Sequence, residues 1–125
     1  GFAPPEAMPA HLLAADILIN PRPSDLAFSR HSFPSKLLEY ASTGRPVLTT
    51  RITSIPEALA SCFHYIDDED AEGIARAIQA LAAQPEAERL IRARRSRETV
   101  LNECSEEAIA RKLAAFLTVE AGVRE

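Results

Sequence analysis

Very little in this chain of 125 residues is of the kind that staples or spans. There are two cysteines, Cys62 and Cys104, far apart and without a C-x-x-C or metal-ligand spacing. That excludes a disulfide framework and a cysteine-built zinc site, and leaves two free thiols suited to a reducing compartment. No apolar run approaches the length of a membrane span. Residues 1–20 lack the basic start and apolar stretch of a signal peptide. Tryptophan is absent, lysine occurs only at positions 36 and 112, and the net charge is −4, a poor match to nucleic acid. One basic run, RLIRARRSR at 89–97, invites that reading. Glu86, Glu88 and Glu98 flank it, however, and no stacking aromatic is interleaved. Neither repeats nor low-complexity segments occur.

What is there alternates. Pro9 to Asp16 reads as a short helix, followed by Ile17-Leu18-Ile19-Asn20, a continuous apolar run of the sort found in strands covered on both faces. Residues 21–34 read as a loop with three prolines, in which Ser24, Asp25 and Ser29 favour turns. A helix from Leu37 to Ser42 stops at Gly44, a natural left-handed cap. Val47 to Thr50 and Phe63 to Ile66 read as two further strands. Ser54-Ile-Pro-Glu57 predicts a capping box between them. The acidic turn 67–70 suits helix capping better than metal binding. Ile74, Ile78, Leu81 and Ala82 recur at helical spacing, and residues 86–103 and 106–118 add two helices, the second opened by Ser105. Single short strands alternating with helices predict an α/β fold, a Rossmann-like parallel sheet with helices on both faces. Three strands are few for such a sheet. We expect residues 1–125 to be part of a domain, the second half of a doubly wound one within a larger protein.

In open α/β sheets ligands bind where strands end and helices begin. The segment from Asn20 to Lys36 is the longest irregular connection in the chain. With Ser32 as N-cap or Pro34 at the first helical position, the amides of Ser35, Lys36 and Leu37 are expected to be unpaired and to form an anion site, reinforced by the Lys36 ammonium. Glu39 lies one turn below Lys36. It can accept two hydrogen bonds from a sugar diol, or it can pair with Lys36 at i, i+3. His31 is either a ligand contact or a loop residue without a task. Arg22 and Arg30 flank the same loop and are placed to reach a phosphate, although a solvated arginine is the commoner outcome. His11 and His64 read as structural.

These residues carry a resemblance. The runs "AADILINPRPS", "HSFPSKLLEYASTGRPVLTT", "SIPEAL" and "IDDEDAEGIARAI" are similar to the nucleotide-sugar-binding, C-terminal domain of GT-B retaining glycosyltransferases (group 1, family 4-like), whose signature is E-x7-E. The resemblance implies an enzyme that transfers a sugar from a nucleoside diphosphate such as UDP with retention. The F-P-S-K variant is the one associated with bacterial surface polysaccharide or glycolipid synthesis. It implies that Glu39 binds ribose hydroxyls and that Ser32, Phe33, Ser35, Lys36 and Leu37 surround the diphosphate. It also places Phe2 and Ala3 near the base. His31 stands where the family has its first glutamate, so it would face the donor sugar. No cofactor and no metal are implied. The partners implied are a nucleotide-sugar donor and an acceptor bound by a further, N-terminal domain. A cytoplasmic setting is expected, with any membrane association through that other domain. Two alternatives stay open: an inactive nucleotide-sugar-binding or scaffold module, and a nucleotide-sugar epimerase of the same fold.

Overall fold

A computed structural model of the chain describes residues 4–122. A 3₁₀ turn at Pro5–Ala7 runs into helix α1 (Met8–Ala14), and strand β1 (Leu18–Asn20) follows. Then come α2 (Ala27–His31), α3 (Ser35–Ser42), β2 (Val47–Thr50), α4 (Glu57–Ala60) and β3 (His64–Ile66). Three longer helices, α5 (Ala71–Ala82), α6 (Glu86–Cys104) and α7 (Glu106–Gly122), complete the described chain. The strands form one parallel sheet in the order β1-β2-β3, with Leu18 opposite Val47 and Leu48 opposite His64.

Strand β2 is buried throughout, and its alternation explains the layering. Val47 points into a cluster with Leu18 of β1, Leu37 and Ala41 of α3, Leu59 of α4, Val100 of α6, and Phe63 just before β3. Leu48, the next residue, points to the opposite face, where Ile66 and Leu81 meet Ile74, Ala77 and Ile78 of α5. Successive side chains in a strand face opposite sides, so a continuous apolar run is what a sheet covered twice requires. The fold is therefore the expected Rossmann-like α/β arrangement. Among the described residues β1 pairs with β2 alone, which leaves its outer edge open.

Several local expectations hold. Gly44 ends α3 with φ of 73°, a conformation that costs a residue with a Cβ. Ser105 Oγ accepts the amide of Ala108 at 3.2 Å and so caps α7. The acidic turn is used structurally: Asp70 caps α5 through the Gly73 amide at 2.6 Å, while Asp67 and Asp68 pair with Arg51 and Arg76. Glu69 goes further and accepts the Ser24 amide at 2.9 Å, tying this turn to the loop after β1.

Three expectations are corrected. Helix α1 covers Met8–Ala14 rather than Pro9 to Asp16. The segment 21–34 is not all loop. Its middle folds into α2 because Ser29, fully buried, donates its amide to Leu26 and its hydroxyl to the Pro23 carbonyl. The capping box at Ser54 and Glu57 does not form. Pro56 is the N-cap of α4, and the Ser54 hydroxyl instead donates to the carbonyls of Ser29 and Ser32.

His64 on β3 illustrates what burial does to a polar side chain. Desolvation, aided by the Arg92 charge, lowers its pKa from 6.5 to about 4. A histidine kept neutral in the folded state contributes stability that is complete above its unfolded pKa and is lost as pH falls from 6.5 toward 4. Allowing for its partial exposure, the loss is expected to be about 1–2 kcal/mol. Denaturant titrations at pH 7.5 and 4.5 of the wild type and His64→Gln check this: the variant should lack most of the pH-dependent difference.

Candidate functional site

The carboxyl ends of β1 and β2 are drawn together by side chains that the sequence places far apart. Thr49 donates its hydroxyl to the Asn20 carbonyl at 3.0 Å, and Thr50 donates to the Arg22 carbonyl. Arg22 then organises the loop. Its Nε donates to Ser29 Oγ at 3.1 Å, its Nη1 to the Ser32 carbonyl at 3.2 Å, and its guanidinium lies 4.0 Å from the centre of the Phe28 ring. The expectation of a solvated arginine is thus corrected: Arg22 is partly buried, and it braces the loop that leads into α3. Its Nη2 and the Nδ2 of Asn20 are buried donors without a partner among the described residues. Unspent donors at the end of a strand are costly in a purely structural element and suit an oxygen-rich ligand. The flanking Pro21 and Pro23 restrict the Arg22 backbone but not its side chain, so the sequence carried no signal for this role.

Helix α3 begins one residue later than Pro34 at the first helical position would give, and two later than a Ser32 cap. Pro34 is the N-cap, in extended conformation, and Ser35 is the first helical residue. The Leu37 amide donates to the Pro34 carbonyl at 3.0 Å, and its side chain is fully buried. The expected free amide at Leu37 is therefore spent on the helix's first turn. The amides of Ser35 and Lys36 have no partner among the described residues, and no side chain caps this end. Two outward N–H groups and the positive end of the helix dipole remain, with an ammonium beside them.

Lys36 and Glu39 line one groove of about 440 Å³. Tyr40 adds a third wall residue from α3, while Pro5, Met8 and Leu12 close the opposite side. Buried Leu37 and Ala41 seat α3 on the core, so Lys36 and Glu39 necessarily face outward. They share the groove without pairing: neither takes part in a salt bridge or a side-chain hydrogen bond among the described residues. Glu39 uses only its carbonyl, as acceptor for Ser42 Oγ at 2.7 Å. The i, i+3 ion pair does not form.

The other residues singled out from the sequence are distributed differently. His31 is exposed at the end of α2 and does not line this groove. Ser32 offers its carbonyl to Arg22 and Ser54, and Phe33 packs against the main core, so both hold the loop in place. Phe2 and Ala3, expected near the base, lie outside the described residues. Among those described, no group of three His, Cys, Asp or Glu side chains is arranged to hold a metal ion. Cys62 is buried, which pushes its thiol pKa up and makes it a core side chain rather than a nucleophile.

The family model for glycosyl transferases group 1 matches residues 1–84 of the chain's 125. The chain belongs to this family. The match takes in the groove, the Arg22 loop, all three strands and α5, and it ends before α6. Searches of curated proteins and of solved structures gave no match. No helix of this glycosyltransferase family member, among its described residues, is long and apolar enough to cross a membrane.

Proposed function

We propose that this chain is the donor-binding part of a GT-B glycosyltransferase, which moves a sugar from a nucleoside diphosphate with retained anomeric configuration. The observation that carries the reading is that Lys36 and Glu39 face one groove and leave each other unpaired. An ammonium beside two free helix-start amides suits a diphosphate. A carboxylate one turn deeper can accept both hydroxyls of a ribose diol. The apolar wall of Met8 and Leu12 gives a base or sugar ring a surface to cover. On this reading His31 approaches the donor sugar from the α2 side, and the acceptor is held by a second domain that closes over the anomeric carbon and excludes water. Bacterial surface polysaccharide or glycolipid synthesis is the setting we assign, from the F-P-S-K run at Phe33 to Lys36.

Calorimetric titration with uridine and uridine diphosphate tests the polarity of the groove. Lys36→Ala should weaken the diphosphate about tenfold and leave the nucleoside nearly unchanged, because the ammonium meets only phosphate. Equal loss for both ligands would assign Lys36 a structural role and remove the main support for this function.

A further inference from the structure

The far end of α3 presents a second groove, also of about 440 Å³, with a different character. Arg45 from the turn before β2 and Arg94 and Arg97 from α6 all line it, together with Ser42, Leu13 and Leu90. Among the described residues no carboxylate lines this groove, although the chain as a whole carries a net charge of −4. None of the three arginines takes part in a salt bridge among the described residues. Asp16 and Glu86 line an adjoining cleft that Arg45 shares, and neither pairs with it. In that same cleft the Nε of Arg89 is buried and without a partner among the described residues.

Part of this has a structural explanation. Arg97 Nε donates to the Ser42 carbonyl at 2.8 Å and caps the negative end of α3, with its stem packed against Gly44. Capping uses one nitrogen of one guanidinium. It does not explain why Arg45 and Arg94 line the same space, where like charges repel and no acid among the described residues forms an ion pair with them. Convergent guanidinium groups in a concave site are the arrangement that binds a tetrahedral oxyanion, since each planar fork can donate twice to phosphate oxygens. Eight residues of α3 put this groove roughly 12 Å from the helix start that carries Lys36. One phosphate cannot bridge the two.

We propose that the Arg45–Arg94–Arg97 groove is a second anion site that binds a phosphate group, separate from the donor groove. The apolar Leu13 and Leu90 on its rim suit a phosphate attached to an apolar or mixed body. That chemistry is shared by an anionic phospholipid headgroup and a soluble phosphate ester. Two arginines of the basic run on α6, Arg94 and Arg97, face this groove, while Arg92 donates to the Phe63 carbonyl.

The test is an amide NMR titration of the chain with inorganic phosphate against chloride at equal ionic strength, paired with sedimentation on phosphatidylglycerol and phosphatidylcholine vesicles. Saturable shifts at Gly44, Arg45, Arg94 and Arg97 are expected. They should weaken about tenfold in Arg45→Gln/Arg94→Gln and persist in Glu39→Ala, which perturbs only the donor groove. Arg94→Gln alone, on an exposed face of α6, gives the same readout if the double variant does not fold. Sedimentation with the anionic vesicles only, lost in the variant, identifies a lipid headgroup; shifts without sedimentation identify a soluble phosphate. No saturable shift at these residues with either probe, or shifts indifferent to the arginine variants, would overturn the proposal.

Discussion

Glu39→Ala is expected to weaken nucleoside diphosphate binding by roughly 1.5–3 kcal/mol, about one to two orders of magnitude in Kd. The figure is that of hydrogen bonds to an ionised acceptor. It applies because the Glu39 carboxylate faces the groove with no competing partner among the described residues. An ion pair with Lys36 would have given a different outcome, since removing one member of an exposed i, i+3 pair costs only a few tenths of a kcal/mol. The sharper form of the experiment compares uridine diphosphate with its 2′-deoxy analogue. Wild type should prefer the ribose form, and Glu39→Ala should bind both equally weakly. Should the preference survive the substitution, the ribose hydroxyls are held elsewhere. Unfolding curves of the variant should overlay those of wild type, because the side chain is exposed and caps nothing.

Leu37→Ala should do the reverse. Leu37 is fully enclosed between β1, β2 and α6, in the cluster that contains Phe63 and Val100. Removing three of its carbons strips their burial and leaves a cavity, a change that costs about 2–5 kcal/mol in well-packed cores. Chemical denaturation measured by far-UV circular dichroism reads this directly. A loss below about 1 kcal/mol would mean that the start of α3 is not seated as described. Ligand binding should fall as well, in a way that addition of denaturant accentuates and low temperature relieves. Leu37 orients Lys36 and Glu39 without touching the groove, so its effect passes through the population of the seated helix. The two substitutions, two residues apart on one helix, therefore separate chemistry from scaffold.

The site was partly visible before the fold was known. Lys36 and Glu39 stand out because one is a rare lysine and the other a carboxylate beside a core face. Their three-residue spacing puts them on one side of any helix. Whether they bind each other or a ligand could not follow from spacing, since both outcomes use the same geometry. The structure shows no ion pair between them among the described residues, and the groove walled by Pro5, Met8 and Leu12 is what the proposed ligand contact rests on. Arg22 reads as solvated from the sequence for a related reason: its partners Ser29 and Ser32 and the stacked Phe28 are grouped only after α2 has formed. The Ser54 capping box shows the opposite error. The Ser-x-x-Glu pattern is present, but the box does not form because carbonyls of Ser29 and Ser32, 25 and 22 residues away, take the hydroxyl instead.

By itself the sequence determined whatever depends on near neighbours. The three strands follow from short apolar runs, the left-handed turn from Gly44, the caps of α5 and α7 from Asp70 and Ser105, and the long helices from their apolar spacing. Each is a choice among few backbone states, made by residues within a turn of one another. Tertiary structure alone decided which polar groups meet across the chain: Glu69 with Ser24, Thr50 with Arg22, and the three arginines at the end of α3. A side-chain donor finds its acceptor by distance in space rather than in sequence, and burial then enforces the match because an unmet polar group is costly.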